Sequence, residues 1–320
     1  MSEHESRLKN FPISWFSTVM GLAGLSIAWN RAEHFIDPGL CLSSIWLGLA
    51  TLVFAVLVFV YALKIYVYPQ EVRQELVHPV KQAFAPTVSI GMLLLSVAYL
   101  QISPQWSLVL WGAGTALQLV LTFYVLSSWM HHEHYQITHL NPAWFIPVVG
   151  NVIVPIAGLS HAPVELSWFF FSLGIFFWPI LTAVIFYRLV FHTALPDRLM
   201  PTLFIFIAPP AVGFTAWVSL NGGVDAFARI LFSVALVFTL LLLSQINRFR
   251  RLSFFLSWWA YSFPLAAMTI ACFVMFKFTQ VAFFLGLGVV MLGVLTLLIA
   301  VLFALTARAV WRKEICVAGH

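Results

Sequence analysis

Charged side chains are missing from long stretches of this chain. No Asp, Glu, Lys or Arg occurs within 10–30, 38–63, 82–132, 134–164, 166–187, 199–224, 230–247, 252–276 or 278–307. About 20 apolar residues at about 1.5 Å rise each cross a hydrocarbon core of about 30 Å, so each run predicts a membrane-spanning helix. The run 82–132 is too long for one crossing and carries a turn signal at Ser103-Pro104. Counted twice, it brings the prediction to ten transmembrane helices in a single domain over 1–320, an all-α membrane protein with brief loops.

The charges that do occur give the helices a direction. In a ten-crossing chain with both ends on one side, only Arg31, Arg229 and Lys277 of the 16 basic residues fall on the opposite side. The bias predicts a multi-pass protein of the plasma membrane, the inner membrane of a bacterium, with both termini cytoplasmic. Composition agrees: 62% hydrophobic and 8% charged residues are too few charges to cover a soluble surface. The basic balance therefore reflects topology and does not call for a nucleic-acid partner. Met1 to Asn10 is polar and followed by many apolar runs, which does not resemble a cleavable signal. Cys41, Cys272 and Cys316 are scattered and suggest neither a disulfide framework nor a metal site.

Proline falls unevenly on the predicted helices. Pro12 opens the first, and Pro86, Pro147 with Pro155, Pro209-Pro210 and Pro264 lie in the third, fifth, seventh and ninth, whereas of the even helices only the sixth has an interior proline, Pro179. Broken backbone at membrane depth is tolerated where it is buried in protein or lines a cavity. The pattern predicts five hairpins, with odd helices forming an inner pore ring and even helices an outer layer. Five helices with neighbouring axes about 10 Å apart place those axes roughly 8.5 Å from the centre and leave a lumen about 3 Å in radius. One aromatic ring fills such a lumen. Near the bends lie Phe16, Phe84, Phe145, Phe206, Phe214 and Phe263, with Ser262 beside the last. These are the candidates for pore lining, with Pro86, Pro147, Pro209 and Pro264 as the kinks. The competing account of each ring is packing inside a proline-bent helix.

The chain resembles the tellurite-resistance/dicarboxylate transporter family, which includes the plant guard-cell slow anion channels and bacterial tellurite-resistance transporters. The residues that carry the likeness are Phe11-Pro12 through Phe16 with Gly21-Leu-Ala-Gly24, Glu71-Val-Arg73 with His78-Pro79-Val80, Asn141-Pro-Ala-Trp-Phe-Ile-Pro147, Ala208-Pro209 with Trp217-Val-Ser-Leu-Asn-Gly-Gly223, and Trp258-Trp-Ala-Tyr-Ser-Phe-Pro264. The resemblance implies a homotrimer in which each protomer has its own phenylalanine-occluded pore. It implies Phe263 as the gate and Phe16 as a second pore ring.

Mechanism follows partly from what is missing. The odd helices carry no acidic or basic residue at membrane depth. A proton-coupled carrier needs an ionisable group there and a dicarboxylate site favours Arg or Lys, so passive conduction of small monovalent anions such as chloride and nitrate is the expectation. Export of dicarboxylate or tellurite by a carrier is the alternative. The anion preference itself comes from the resemblance. No catalytic arrangement and no cofactor motif is present, and small anions and the bilayer are the expected partners. The cluster His131-His132-Glu133-His134 with His139 invites a metal or pH-sensing reading, but it sits in a loop on no rigid frame, and no metal site is expected. Asp225 and Arg229, four apart, are expected to pair on a helix surface.

Overall fold

The computed structural model describes residues 7–36, 39, 41–131 and 135–316, and every regular element among them is helical. Among the described residues eight helices are long and apolar enough to cross a membrane: Leu42–Val67, Lys81–Tyr99, Pro104–His131, Val164–Phe191, Asp197–Asn221, Ala226–Ser244, Leu256–Thr279 and Ala282–Trp311. The long run 82–132 divides at Ser103, with Pro104 opening the next helix. The two remaining runs form shorter elements. Residues 10–30 supply a 3-10 turn, Ile13–Phe16, and the helix Ser17–Glu33. Residues 134–164 supply Pro142–Gly158, in which 3-10 and α pieces alternate. Pro142, Pro147 and Pro155 each lack the N–H that a continuous α ladder would use.

Burial separates the helices into two classes. In the most apolar part of Leu42–Val67, Pro104–His131, Val164–Phe191, Ala226–Ser244 and Ala282–Trp311 only 22 to 33% of residues are buried, against 67 to 89% in Lys81–Tyr99, Asp197–Asn221 and Leu256–Thr279. Most residues of Ser17–Glu33 and of Phe145–Gly158 are buried too. Exposed side chains on the first class, such as Phe59 at 71% and Leu297 at 68%, suit a hydrocarbon solvent. Each buried segment packs against the exposed helix that follows it in the chain. Among the buried segments, contacts pass from Ser17–Glu33 to Thr87–Tyr99, to Gly150–Gly158, to Ala208–Asn221, to Ser262–Thr279 and back to Ser17–Glu33.

Small residues set the closest of these approaches. A Cβ on Gly21 would collide with Ser262, and one on Gly24 would lie 2.8 Å from Ala266 Cβ. Only glycine lets the two helix backbones come this near. The broken segment is fastened differently: Thr122 Oγ1 and Gln118 Nε2 donate to the Pro147 carbonyl at 2.7 and 3.1 Å, and Asn151 Nδ2 donates to Thr122 Oγ1 and to Val148 O. Side chains of Pro104–His131 and of the segment itself thus occupy backbone acceptors near the break.

The prolines act at junctions more than as mid-helix kinks. Pro264 is the third residue of Ser262–Thr279 and follows the 3-10 segment Leu256–Tyr261. Pro209 is second in Ala208–Asn221 after the 3-10 segment Asp197–Ile207, and Pro86 caps Thr87–Tyr99 after Lys81–Phe84. Pro147 alone of the four lies within a short α piece, Phe145–Val149. At such a junction the α ladder is only beginning, so a missing N–H removes a 3-10 bond and not one from an established α ladder, and the change of winding happens just before the proline.

Candidate functional site

A cavity of about 580 Å³ opens at one end of the buried segments. Its wall takes residues from all five: on four of them it reaches only the first α turns, as far as Met20, Ile90, Val212 and Pro264, and along Pro142–Gly158 it runs as far as Ile153. The farthest lining residues along the segments, Met20, Ile90, Ile153 and Val212, are apolar, as is Phe263 beside Pro264. Phe263, 8% exposed, lines the cavity with them. Its ring edge would lie 3.5 Å from a Cβ on Gly24, so it rests over the small-residue seam between Ser17–Glu33 and Ser262–Thr279.

The other predicted residues divide. Phe84, Phe145, Pro209 and Pro264 line the cavity with Phe263. Phe16 does not; it is buried edge-on against Phe54 and Tyr61, with centroids 6.0 and 6.2 Å away. Phe206 stacks on Phe238 and meets Phe145 edge-on, and Phe214 packs on Phe232, so both turn toward the exposed helices. Ser262 donates to the Trp259 carbonyl at 2.6 Å and is fully buried. Pro86 and Pro147 are not among the residues that line it.

Charge gathers at the mouth, where Lys9, Lys64, Glu71, Glu75, His78, Lys81 and Arg198 line the cavity. Both carboxylates are committed. Lys9 pairs with Glu71 at 3.2 Å and Lys64 with Glu75 at 2.8 Å, the second pair being only 3 and 7% exposed by residue. Glu75 also accepts from the Ile13 amide at 2.7 Å and the Tyr61 hydroxyl at 3.2 Å, while Lys64 donates to the Phe11 carbonyl at 2.7 Å. This network ties the entry of Ser17–Glu33 to Leu42–Val67 and Pro69–Val77. A buried pair with its remaining hydrogen-bonding capacity used in this way offsets its desolvation and fixes register.

Two further sources of potential reach the cavity. Ser17–Glu33, Thr87–Tyr99, Ala208–Asn221 and Ser262–Thr279 begin beside it without a side-chain cap. Each continues a 3-10 segment whose carbonyls take its first N–H groups, Ser17 N to Ser14 O, Val88 N to Ala85 O, Ala208 N to Ile205 O and Ser262 N to Trp259 O, so the positive end of each dipole lies at the start of the 3-10 segment. His78 Nδ1 accepts from the amides of Val80 and Lys81 at 3.1 and 3.3 Å, which leaves Nε2–H as its donor. Burial, then the charges of Lys81, His139 and Arg198, hold its imidazolium below the usual histidine range.

Sequence reasoning treated Lys64 only as a topology marker and missed its buried partner. Lys64 and Glu75 belong to different helices separated by Pro69, so no i to i+4 spacing announces them. Asp225 does not pair with Arg229. It caps Ala226–Ser244 by accepting from the Ala228 amide at 2.8 Å, and it accepts from Trp217 Nε1 at 2.9 Å. His131 is exposed beside the Ser127 carbonyl, while His132, Glu133 and His134 lie outside the described residues. Among the described residues no group of His, Cys, Asp or Glu is arranged to hold a metal.

The sequence pattern of the family described as voltage-dependent anion channel, SLAC1, matches residues 10–307. An uncharacterized transporter of Methanocaldococcus jannaschii is 28% identical over 306 residues, covering 85% of this chain and 87% of that protein. The S-type anion channel SLAH2 of Arabidopsis thaliana is 30% identical over 272 residues, covering 82% of this chain but only 52% of the plant protein. The tellurite resistance protein TehA homolog of Haemophilus influenzae is 27% identical over 259 residues, 80% of this chain and 79% of that protein.

Proposed function

Because the chain belongs to the SLAC1 voltage-dependent anion channel family, an anion channel and transporter family of multi-pass membrane proteins, we propose that it is a passive channel for small monovalent anions, chloride and nitrate among them, closed at rest by Phe263. The observation that carries this reading is the vestibule itself, walled by all five buried segments, whose farthest-reaching residues, taken as its floor, are apolar and include the Phe263 ring. The alternation of buried and exposed helices, and contacts that return to their starting helix, support ten crossings arranged as five hairpins around one axis. All five buried segments then enter from the cytoplasmic side, where the cavity opens.

Anion preference has a physical source in this arrangement. The starts of the 3-10 segments, with Ile13, Lys81, Arg198 and Leu256 in the cavity lining, place positive potential along the vestibule, while prolines deeper in remove N–H groups that would otherwise grip an anion. Favourable potential without tight ligation allows an ion to enter and to leave. The floor residues Met20, Ile90, Ile153, Val212 and Phe263 carry no charge, so no group there can exchange a proton with a substrate. We assign three such protomers to the assembly, each with its own pore, in a plasma membrane with both termini cytoplasmic. Reversal potentials of purified protein in planar bilayers test the proposal. A shift that follows chloride or nitrate gradients and ignores cation gradients supports it; saturating transport that requires a proton gradient overturns it.

A further inference from the structure

The floor of the vestibule is apolar, so an anion that waits to cross it must be held above it. Of the cations at the mouth, Lys9 and Lys64 are neutralised by Glu71 and Glu75. Lys81 and Arg198 are not: among the described residues neither side chain has an ion-pair or hydrogen-bond partner, and both line the cavity. They come from different parts of the wall, Lys81 at the head of Lys81–Phe84 and Arg198 near the head of Asp197–Ile207. His78 lines the same cavity, its Nδ1 accepting from the Lys81 amide, and it adds an imidazole N–H donor.

We propose that Lys81 and Arg198, with the Nε2–H of His78, form an anion-loading site at the mouth of the vestibule, which holds small monovalent halides and oxyanions in partly hydrated form before they cross the floor. The site rests on the pore reading above. Two uncompensated cations and a donor, spread over separate segments with room for water between them, attract an anion without enclosing it. The chemistry suits a weakly held, exchangeable ion. Tight bidentate clamping of a multivalent anion would instead need the guanidinium fixed by a carboxylate or backbone carbonyl, and Arg198 has no such support among the described residues.

Charge screening supplies the test. The screening length is about 30 Å at 0.01 M salt and about 3 Å at 1 M, so a loading site raises current in dilute salt and is silent in concentrated salt. Single-channel nitrate currents are measured for Phe263→Ala and for Phe263→Ala carrying Lys81→Gln and Arg198→Gln, reconstituted in zwitterionic lipid. The expected result is at least about a threefold smaller current at 0.01 M for nitrate entering from the vestibule side, converging at 1 M, with Lys81→Arg restoring the parental value. Equal currents in dilute salt overturn the site, and so does an equal fractional loss at both concentrations, which signals a distorted pore. Excess broadening of the chloride-35 resonance by the otherwise unaltered chain is measured alongside. It is expected to fall in Lys81→Gln/Arg198→Gln, and unchanged broadening overturns the site even if Phe263→Ala carries no current. In that event broadening lost on substitution upholds the site while the pore reading alone fails.

Discussion

Replacement of Phe263 by alanine separates a gate from a packing residue, because the two roles predict different sizes of effect. In a close-packed core a Phe→Ala change costs about 3 to 5 kcal/mol. Phe263 borders the vestibule on one side, so part of its ring surface has no packed neighbour to lose, and the cost should fall below about 3 kcal/mol. Behind the ring lie Gly24 and Ala266, too small to collapse into the vacated space. An opened path about 3 Å in radius should then remain. A bare ion in a dry apolar constriction faces a barrier of tens of kcal/mol, whereas a tenfold rise in conductance needs only about 1.4 kcal/mol removed. We therefore expect Phe263→Ala to conduct at least about tenfold more than the parent, with Phe263→Leu between them because it keeps apolar bulk. Single-channel recording on folded protein is the assay, with lipid-facing Phe59→Ala as the control. Unchanged conductance in Phe263→Ala, or an equal rise in Phe59→Ala, would refute the gate.

Glu75→Gln should destabilise the protein by about 3 to 5 kcal/mol, because it leaves Lys64 buried without its counter-charge. Thermal unfolding in detergent checks this, and a shift no larger than that of Glu314→Gln at the exposed Arg312–Glu314 pair would argue against it. His78 faces Lys81, His139 and Arg198, with the Lys9–Glu71 and Lys64–Glu75 pairs on the same cavity wall. Its folded pKa is depressed, so stability is at its full value above the unfolded histidine pKa of about 6.5 and declines as pH falls below it, since the unfolded chain takes up the proton first. His78→Gln should flatten that slope, and should also remove any rise of current from the vestibule side on acidification. Cysteines introduced near either end of a cysteine-free chain should resist impermeant reagents in intact cells, because both ends are expected in the cytoplasm. Mass in lipid nanodiscs should correspond to three chains, and a monomeric mass would remove the trimer.

Particular residues show where sequence reasoning stops. Ser103-Pro104 was readable as a break because proline cannot continue a preceding helix and the run was too long for one crossing. Phe263 was singled out by its place before Pro264, and the structure brings it into one cavity lining with Phe84 and Phe145. Phe16, Phe206 and Phe214 carry the same local signal, a ring near a bend, yet each turns away toward an exposed helix. A helix buried on every side has no polar face to show which direction a side chain takes. The floor residues Met20, Ile90, Ile153 and Val212 were invisible for the same reason.

The sequence by itself determined the membrane class, the apolar segments and the break at Ser103-Pro104, because charge is too costly to bury in hydrocarbon and proline cannot supply an N–H. Those are local penalties, fixed by residue type alone. Which rings meet the vestibule, how Lys64 finds Glu75 across Pro69, and which cations at the mouth stay unpaired were decided only by tertiary structure. Each depends on how helices distant in sequence are rotated and spaced against one another, and glycines such as Gly21 and Gly24 permit that spacing without specifying it.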